Sequence, residues 1–211
     1  MKYHHGNLKK VLLKCACETC ETEGAEALSL RGLAKKANVS QTAPYRHFAT
    51  KQELLACIAE EGFKNLNKKL TKILNDSYSS ERERHIAAGR AYIEFGLNNL
   101  NTYNLMFSDS IRDFSMFPGL HIAAEDCFQT LKKIIKRVFN LPDEDAEFKG
   151  MQLWSMGHGL VMILNKRQKA PIQARTQDST ALKLMDKVSS NLDKFLEKFR
   201  SEEHTSELQS P

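Results

Sequence analysis

Apolar residues recur at steps of three and four along almost the whole chain, and that period predicts helices throughout. Leu8, Val11, Leu12, Cys15 and Ala16 form one face of a first helix, with Asn7 as its cap and Gly24 as its end. Leu30, Leu33, Ala34 and Ala37 mark a short second helix, and Ser29 stands where its cap belongs. Asn38-Val39-Ser40 then breaks the pattern. Asn38 tolerates a left-handed backbone, Val39 can pin the turn to the core, and Ser40 is free to cap a third helix from Gln41 to Phe48. Pro44 falls at the fourth position of that helix and fits its first turn. Thr50 and Glu53 make a capping box for a long helix from Lys51 to about Asn75, carried by Leu54, Leu55, Ile58, Phe63, Leu66, Leu70, Ile73 and Leu74. Further helices are expected at about 81–100, 102–108, 119–140, 143–166 and 178–199. Turn-rich pieces such as Asp76 to Ser80 and Ala170-Pro171 separate them, and no internal repeat is evident. The fold class is therefore all-α.

The three-residue break between two short helices is the spacing of a helix-turn-helix, which makes DNA the first partner to consider. On the third helix Gln41, Thr42, Tyr45 and His47 supply groups able to meet base edges and phosphates, and Ala43 is small enough for close approach to a groove wall. Lys51 sits at the positive N-terminus of the next helix, a position that suits a phosphate. Lys35 and Lys36 read as a solvated face, and Arg46 is expected to pack or pair within the domain.

Residues 3 to about 63, from Tyr3-His4-His5-Gly6-Asn7-Leu8 through Tyr45-Arg46-His47-Phe48 to Glu61-Gly62-Phe63, resemble the DNA-binding domain of TetR/AcrR-family transcriptional regulators. By that resemblance Gln41 and Thr42, with Ser40 and Ala43 beside them, face the major groove, and Tyr45 and Lys51 hold phosphates. Gly32 departs from the pattern, which usually has an acidic residue there to close a box with Ser29. Glycine inside a helix costs roughly 1 kcal/mol.

Charge agrees with this placement. Residues 1–51 hold nine Lys and Arg against four Glu, an excess of five that equals the net charge of the whole 211-residue chain. No apolar run approaches the length of a membrane span, and the first residues lack the apolar core of a signal peptide, so a cytoplasmic protein is expected. Five cysteines, an odd number, argue against a full disulfide framework. Cys15 and Cys17 lie about 200° apart around one helix and cannot converge on a metal, so Cys15, Cys17 and Cys20 read as packing residues. His4 and His5 read as a solvated arm. Neither a Gly-rich phosphate loop nor a nucleophile elbow supports pairing His47 with Cys57, or His158 with Glu147, as catalytic groups. No catalytic residue, cofactor or metal is expected.

The C-terminal half carries a looser resemblance. Ala91 to Phe95, Tyr103 to Phe107, and Trp154 with His158-Gly159 resemble a domain type of the same family named for its Trp-His-Gly signature, although Leu100 replaces a usual proline. This implies a cavity for a small-molecule effector, with Tyr92, Phe95, Tyr103, Met106, Phe107, Met151, Trp154 and His158 as candidate lining. From periodicity alone, the same residues read first as core. Leu182, Met185, Ser189, Leu192 and Leu196 form one stripe and Leu153, Met156, Leu160 and Ile163 another. Two such helices from each of two subunits can build a four-helix homodimer interface, the alternative being burial inside one subunit.

The expected domains are a helix-turn-helix domain at 1–51 and a ligand-binding and dimerisation domain at 52–199. Residues 200–211 stand apart, because Arg200 to Ser210 reads as the translation of a sequencing-library adapter, with the natural sequence truncated near Phe199. The expected function is a homodimeric regulator that binds double-stranded operator DNA and is released by an unknown small molecule. The alternative is a DNA-binding protein of the same fold answering to a protein partner or acting architecturally.

Overall fold

The computed structural model describes residues 8–111, 113–169 and 180–201. Nine α-helices, and no strand, are found among the described residues. They are α1 (Leu8–Glu23), α2 (Leu30–Lys36), α3 (Lys51–Asn75), α4 (Glu81–Asn98), α5 (Leu100–Met106), α6 (Pro118–Phe139), α7 (Asp143–Lys169), α8 (Thr180–Ser190) and α9 (Leu192–Ser201). Most of the adapter-like stretch, from residue 202 on, and the arm with His4 and His5 lie outside the described residues.

Local chemistry accounts for several of these boundaries. Gly24 ends α1 at φ 86°, a left-handed backbone that suits glycine. Ser29 Oγ accepts the Gly32 N–H at 3.0 Å and caps α2. A Cβ at position 32 would lie 2.9 Å from Ser29 Oγ, so a larger residue there would need the serine hydroxyl to shift. Asn38 takes the left-handed turn at φ 53°. At α3, the Glu53 N–H donates to Thr50 Oγ1 at 3.1 Å, while the Glu53 carboxylate accepts the Ala49 N–H at 2.7 Å, one residue before the expected partner. The other end of α3 is closed from a distance. Arg84, 1% exposed, donates to the carbonyls of Ile73, Leu74 and Asp76, pairs with Glu81 and lies over the Tyr78 ring. Carbonyls at a helix end lack intrahelical donors, and this buried guanidinium supplies them.

Two expectations about helices fail. The segment from Gln41 is not an α-helix: 41–43 form a turn and Pro44–Arg46 a single 3₁₀ turn. Proline has no N–H to donate to the Ser40 carbonyl, which would be the first bond of the α ladder. Three-residue bonds take over, Ala43 N–H to Ser40 O at 3.0 Å and His47 N–H to Pro44 O at 2.9 Å. The helix expected at 178–199 is instead two, broken at Asn191. There the Asn191 amide donates to Lys187 O and its N–H to Val188 O, so a local side-chain bond competes with continuation of the helix.

The chain packs as two compact units, one of Met1–Asn67 with Asn99–Cys127 and one of Lys68–Asn98 with Phe128–Pro211. Packing thus groups residues 99–127 with the helix-turn-helix segment, unlike a linear cut after Lys51. In the first unit α1 packs on α2 and α5. Its core includes Leu12, Ala16, Leu33, Ala34, Phe48, Leu54, Leu55 and Ile58. The Glu21 carboxylate accepts the N–H groups of Asn101 and Thr102, where α5 begins, and so fastens α5 to α1. In the second unit α4 packs on α7 and α9, and α7 on α8.

Candidate functional site

The first candidate surface follows from the turn geometry at residues 38–51. Ser40, Gln41 and Thr42 are exposed, with the Ser40 and Thr42 hydroxyls 3.3 Å apart. Ala43 is 9% exposed and Pro44 is buried, so these two face the interior while their neighbours at 40–42 stay exposed. Tyr45 is 49% exposed and His47 half-buried. Lys51 is half-buried, and its ammonium donates to the Glu26 carbonyl at 3.1 Å.

Arg46 is exposed, against the expectation that it would pack or pair inside the domain. The 3₁₀ turn is the reason. Side chains three apart eclipse one another in that geometry, so a residue next to Tyr45 points differently than on an α-helix. With Arg46 added, the exposed residues of the 40–46 segment carry hydroxyls, an amide, a phenol and a guanidinium. Such groups meet phosphates and base edges in a major groove. Lys36 is committed elsewhere, bonded to Thr19 and Glu23.

The second candidate lies in the other unit. Helices α4, α6, α7 and α9 border a partly open apolar cavity of about 50 Å³ lined by His85, Ala88, Gly89, Tyr92, Ile93, Leu131, Ile134, Ile135, Val138, Phe139, Leu153, Trp154, Met156, Gly157 and Leu196. Of the eight expected lining residues only Tyr92 and Trp154 take part. Tyr103, Met106 and Phe107 belong to the first unit, where Phe107 meets Tyr103 and Phe63 edge-on at centroid distances of 4.9 and 5.6 Å. Met106 packs against Gly62, where an added Cβ would fall 2.6 Å from its sulfur. Phe95 is buried outside the lining and Met151 is 49% exposed. His158 sits beside Trp154 with ring centroids 5.9 Å apart, and burial holds its pKa below the ordinary histidine value. Aromatic spacing announced buried residues correctly in part, but a three-and-four pattern does not say which of two cores a residue enters. The glycines at 89 and 157, which admit Leu196 and Tyr92 against the helix backbones, carried no signal in the pattern.

The expected dimer stripes divide in the same way. Leu153, Met156 and Leu196 line the cavity, and Leu160 and Leu192 are each 9% exposed within the single chain. Leu182 and Met185 are half-buried and Ser189 is exposed. The apolar side chains that α7 leaves open are Phe148 at 68%, Met151 at 49%, Met162 at 39% and Ile163 at 47% exposure. At 100° per residue this stripe lies on the order of 100° around the helix from the expected one, and only Ile163 belongs to both.

Thiol chemistry has little footing here. Burial pushes Cys17 and Cys127 up to about 12 and Cys20 up to about 11, which keeps them as thiols rather than reactive thiolates. Among the described residues, no group of three or more His, Cys, Asp or Glu could hold a metal ion, and no helix is long and apolar enough to cross a membrane.

Comparison with known proteins gives the same assignment from outside. Residues 12–58 match the family described as bacterial regulatory proteins, tetR family, and residues 85–186 match the tetracyclin repressor-like C-terminal domain. The latter is a different label from the Trp-His-Gly type read from Trp154, His158 and Gly159. The HTH-type transcriptional activator FasR of Mycolicibacterium smegmatis is 26% identical over 153 residues, 72% of this chain and 66% of that protein. An HTH-type regulator of Bacillus subtilis, YobS, is 29% identical over 103 residues, 46% of this chain and 50% of that one. The chain therefore spans about two thirds of the first relative and half of the second. A solved structure from Rhodococcus sp. RHA1, of unknown function, superposes with a TM-score of 0.72 at 26% identity, covering 94% of this chain and 98% of that one. PfmR, a TetR-family regulator of Thermus thermophilus, shares the fold with a TM-score of 0.60 at 20% identity, over 89% of this chain and 97% of its own. These families are regulators and not enzymes. On the helix-turn-helix geometry and on both family matches, the chain belongs to the TetR family of DNA-binding transcriptional regulators.

Proposed function

We propose that the protein is a homodimeric, ligand-responsive repressor that binds a near-palindromic operator and leaves it when a small molecule enters the α4–α6–α7–α9 cavity. The observation that carries the ligand response is the cavity itself, bounded by four helices and lined almost wholly by apolar side chains. At about 50 Å³ it is far smaller than the roughly 300–1,000 Å³ of sites that hold drug-sized ligands. A drug-sized effector must therefore widen it. A ligand shifts an equilibrium only by binding one state better than another, and a cavity that must open supplies that difference.

The dimer reading rests on the exposed α7 stripe. Phe148, Met151, Met162 and Ile163 share one helical face with Ser155 and Gly159. At Gly159 an added Cβ would meet nothing within 4 Å. Small residues between apolar ones allow two helices to approach closely, and two copies of one stripe are self-complementary about a two-fold axis. Two reading segments on such an axis match an inverted repeat in DNA. We place the protein in the cytoplasm, where its DNA is.

Activation is the second reading, favoured by one finding: the relative FasR is named a transcriptional activator. Transcription in vitro from a promoter bearing the selected operator separates the two. Repression predicts fewer transcripts as protein is added and recovery with an extract fraction that releases the DNA. Rising transcript levels would establish activation instead, and indifference to every fraction would favour control by a protein partner.

A further inference from the structure

We propose that the effector is an uncharged, largely apolar molecule, and that it gains the cavity by displacing Leu196 from its seat on Gly89. The inference rests on the reading of this cavity as the effector site and specifies its ligand class and its gate.

The ligand class follows from the walls. None of the fifteen lining residues carries a carboxylate, ammonium or guanidinium group, and only His85, Tyr92 and Trp154 bring polar side-chain atoms. His85 is 7% exposed, and its Nε2 lies 3.2 Å from the Leu196 carbonyl oxygen. A charge brought into such surroundings loses its hydration without gaining an opposite charge, which is unfavourable enough to exclude it. Apolar surface gains on transfer there.

The gate follows from the fit of α9 on α4. Leu196 is 2% exposed, and an added Cβ on Gly89 would fall 2.6 Å from its Cδ2. A leucine thus occupies the space that a glycine leaves open on α4, and its own side chain forms part of the cavity wall. The remaining walls belong to helices of 18, 22 and 27 residues, whereas α9 has ten. Polar ties between α9 and α4 among the described residues include the ion pairs Arg82–Glu197 and Arg90–Asp193 and the His85 contact with the Leu196 carbonyl. Both ion pairs are solvent-exposed, and exposed pairs contribute little. Leu196 is the wall element that yields most readily, and an apolar guest takes over the burial it gives up.

Trp154 is the single tryptophan of the chain and lines the cavity, so it reports occupancy directly. The full chain is titrated with the neutral dye phenylnaphthylamine and with its sulfonated counterpart anilinonaphthalenesulfonate, following energy transfer from Trp154. Operator binding is read by anisotropy in the same titrations. Leu196→Ala and the volume-conserving Leu196→Met are compared with wild type after melting curves establish that each is folded. Saturable transfer to the neutral dye, at least tenfold weaker transfer to the sulfonate, and about fivefold or greater tightening in Leu196→Ala with a shift in the same direction in Leu196→Met are expected. Equal affinity for both dyes, or neutral-dye affinity unchanged in both variants, overturns this inference and leaves the cavity as a site. The expected dye behaviour with operator binding indifferent to the dye supports the gate and the ligand class, and overturns the effector reading. No transfer to either dye in any folded protein overturns both.

Discussion

At the scale of single residues, the proposed DNA-reading segment divides into a residue expected to grip phosphate and one expected to discriminate bases. Lys51 stands at the start of α3, and its ammonium is parked on the Glu26 carbonyl. Rotation onto a phosphate exchanges one acceptor for another of greater charge. Lys51→Ala should weaken binding to operator and random DNA by similar factors and lower the slope of log affinity against log salt by about one unit. A preserved slope with lost sequence preference would make Lys51 a base reader. Gln41 is exposed at the opposite end of the segment, and its amide can donate and accept together on an adenine edge. Gln41→Ala should relax preference at one operator position by roughly 1–3 kcal/mol, measured by competition among single-base operator variants. Uniform weakening across all variants would remove it from the base contacts. Capping chemistry at this scale was legible in sequence, because Ser29, Asn38, Thr50 and Glu53 act on backbone groups within four residues of themselves. The 3₁₀ turn at Pro44 was not, since the missing N–H tips a balance between two nearly equal local geometries.

Elements were legible in extent and not in phase. Helices α3, α4, α6 and α7 lie within a few residues of the spans that periodicity gives, because an apolar stripe must be covered by something. What covers it is a tertiary fact. On α7 two of the four residues read as a dimer stripe, Leu153 and Met156, line the cavity, and the face left open carries Phe148, Met151, Met162 and Ile163. A pair of substitutions separates the two faces. Ile163→Glu should leave the melting temperature of the monomer fold nearly unchanged while dissociating the dimer, because an unpaired charge in a desolvated interface costs several kcal/mol. Leu192→Glu should instead lower thermal stability outright, since Leu192 is 9% exposed within one chain. Light scattering with parallel melting curves distinguishes them. A stable Ile163→Glu dimer would move the interface off this face of α7. Asn191 marks the other element-scale surprise, a break that no Gly or Pro announces and that a side-chain amide enforces.

For the whole molecule, the chain packs as two compact units. The first holds the reading segment together with α5 and the start of α6, and the second holds the cavity. Glu21 illustrates why the grouping was not legible: its carboxylate caps a helix eighty residues away, and no local pattern encodes that pairing. Sequence did show where the positive charge lies, with residues 1–51 carrying an excess equal to the net charge of the chain. That excess predicts general attraction to DNA, whereas the central claim is sequence-specific binding by a two-fold dimer through the 40–46 segment. The most direct measurement is selection of duplexes from a random-sequence pool by the full chain, followed by anisotropy titration of the selected duplex against a scrambled one. The account predicts selected sequences with two inverted half-sites whose centres lie about 34–36 Å apart or a multiple of that, bound about a thousandfold or more tightly than the scrambled duplex. Absence of any enriched sequence, or equal affinity for the two duplexes, would contradict it.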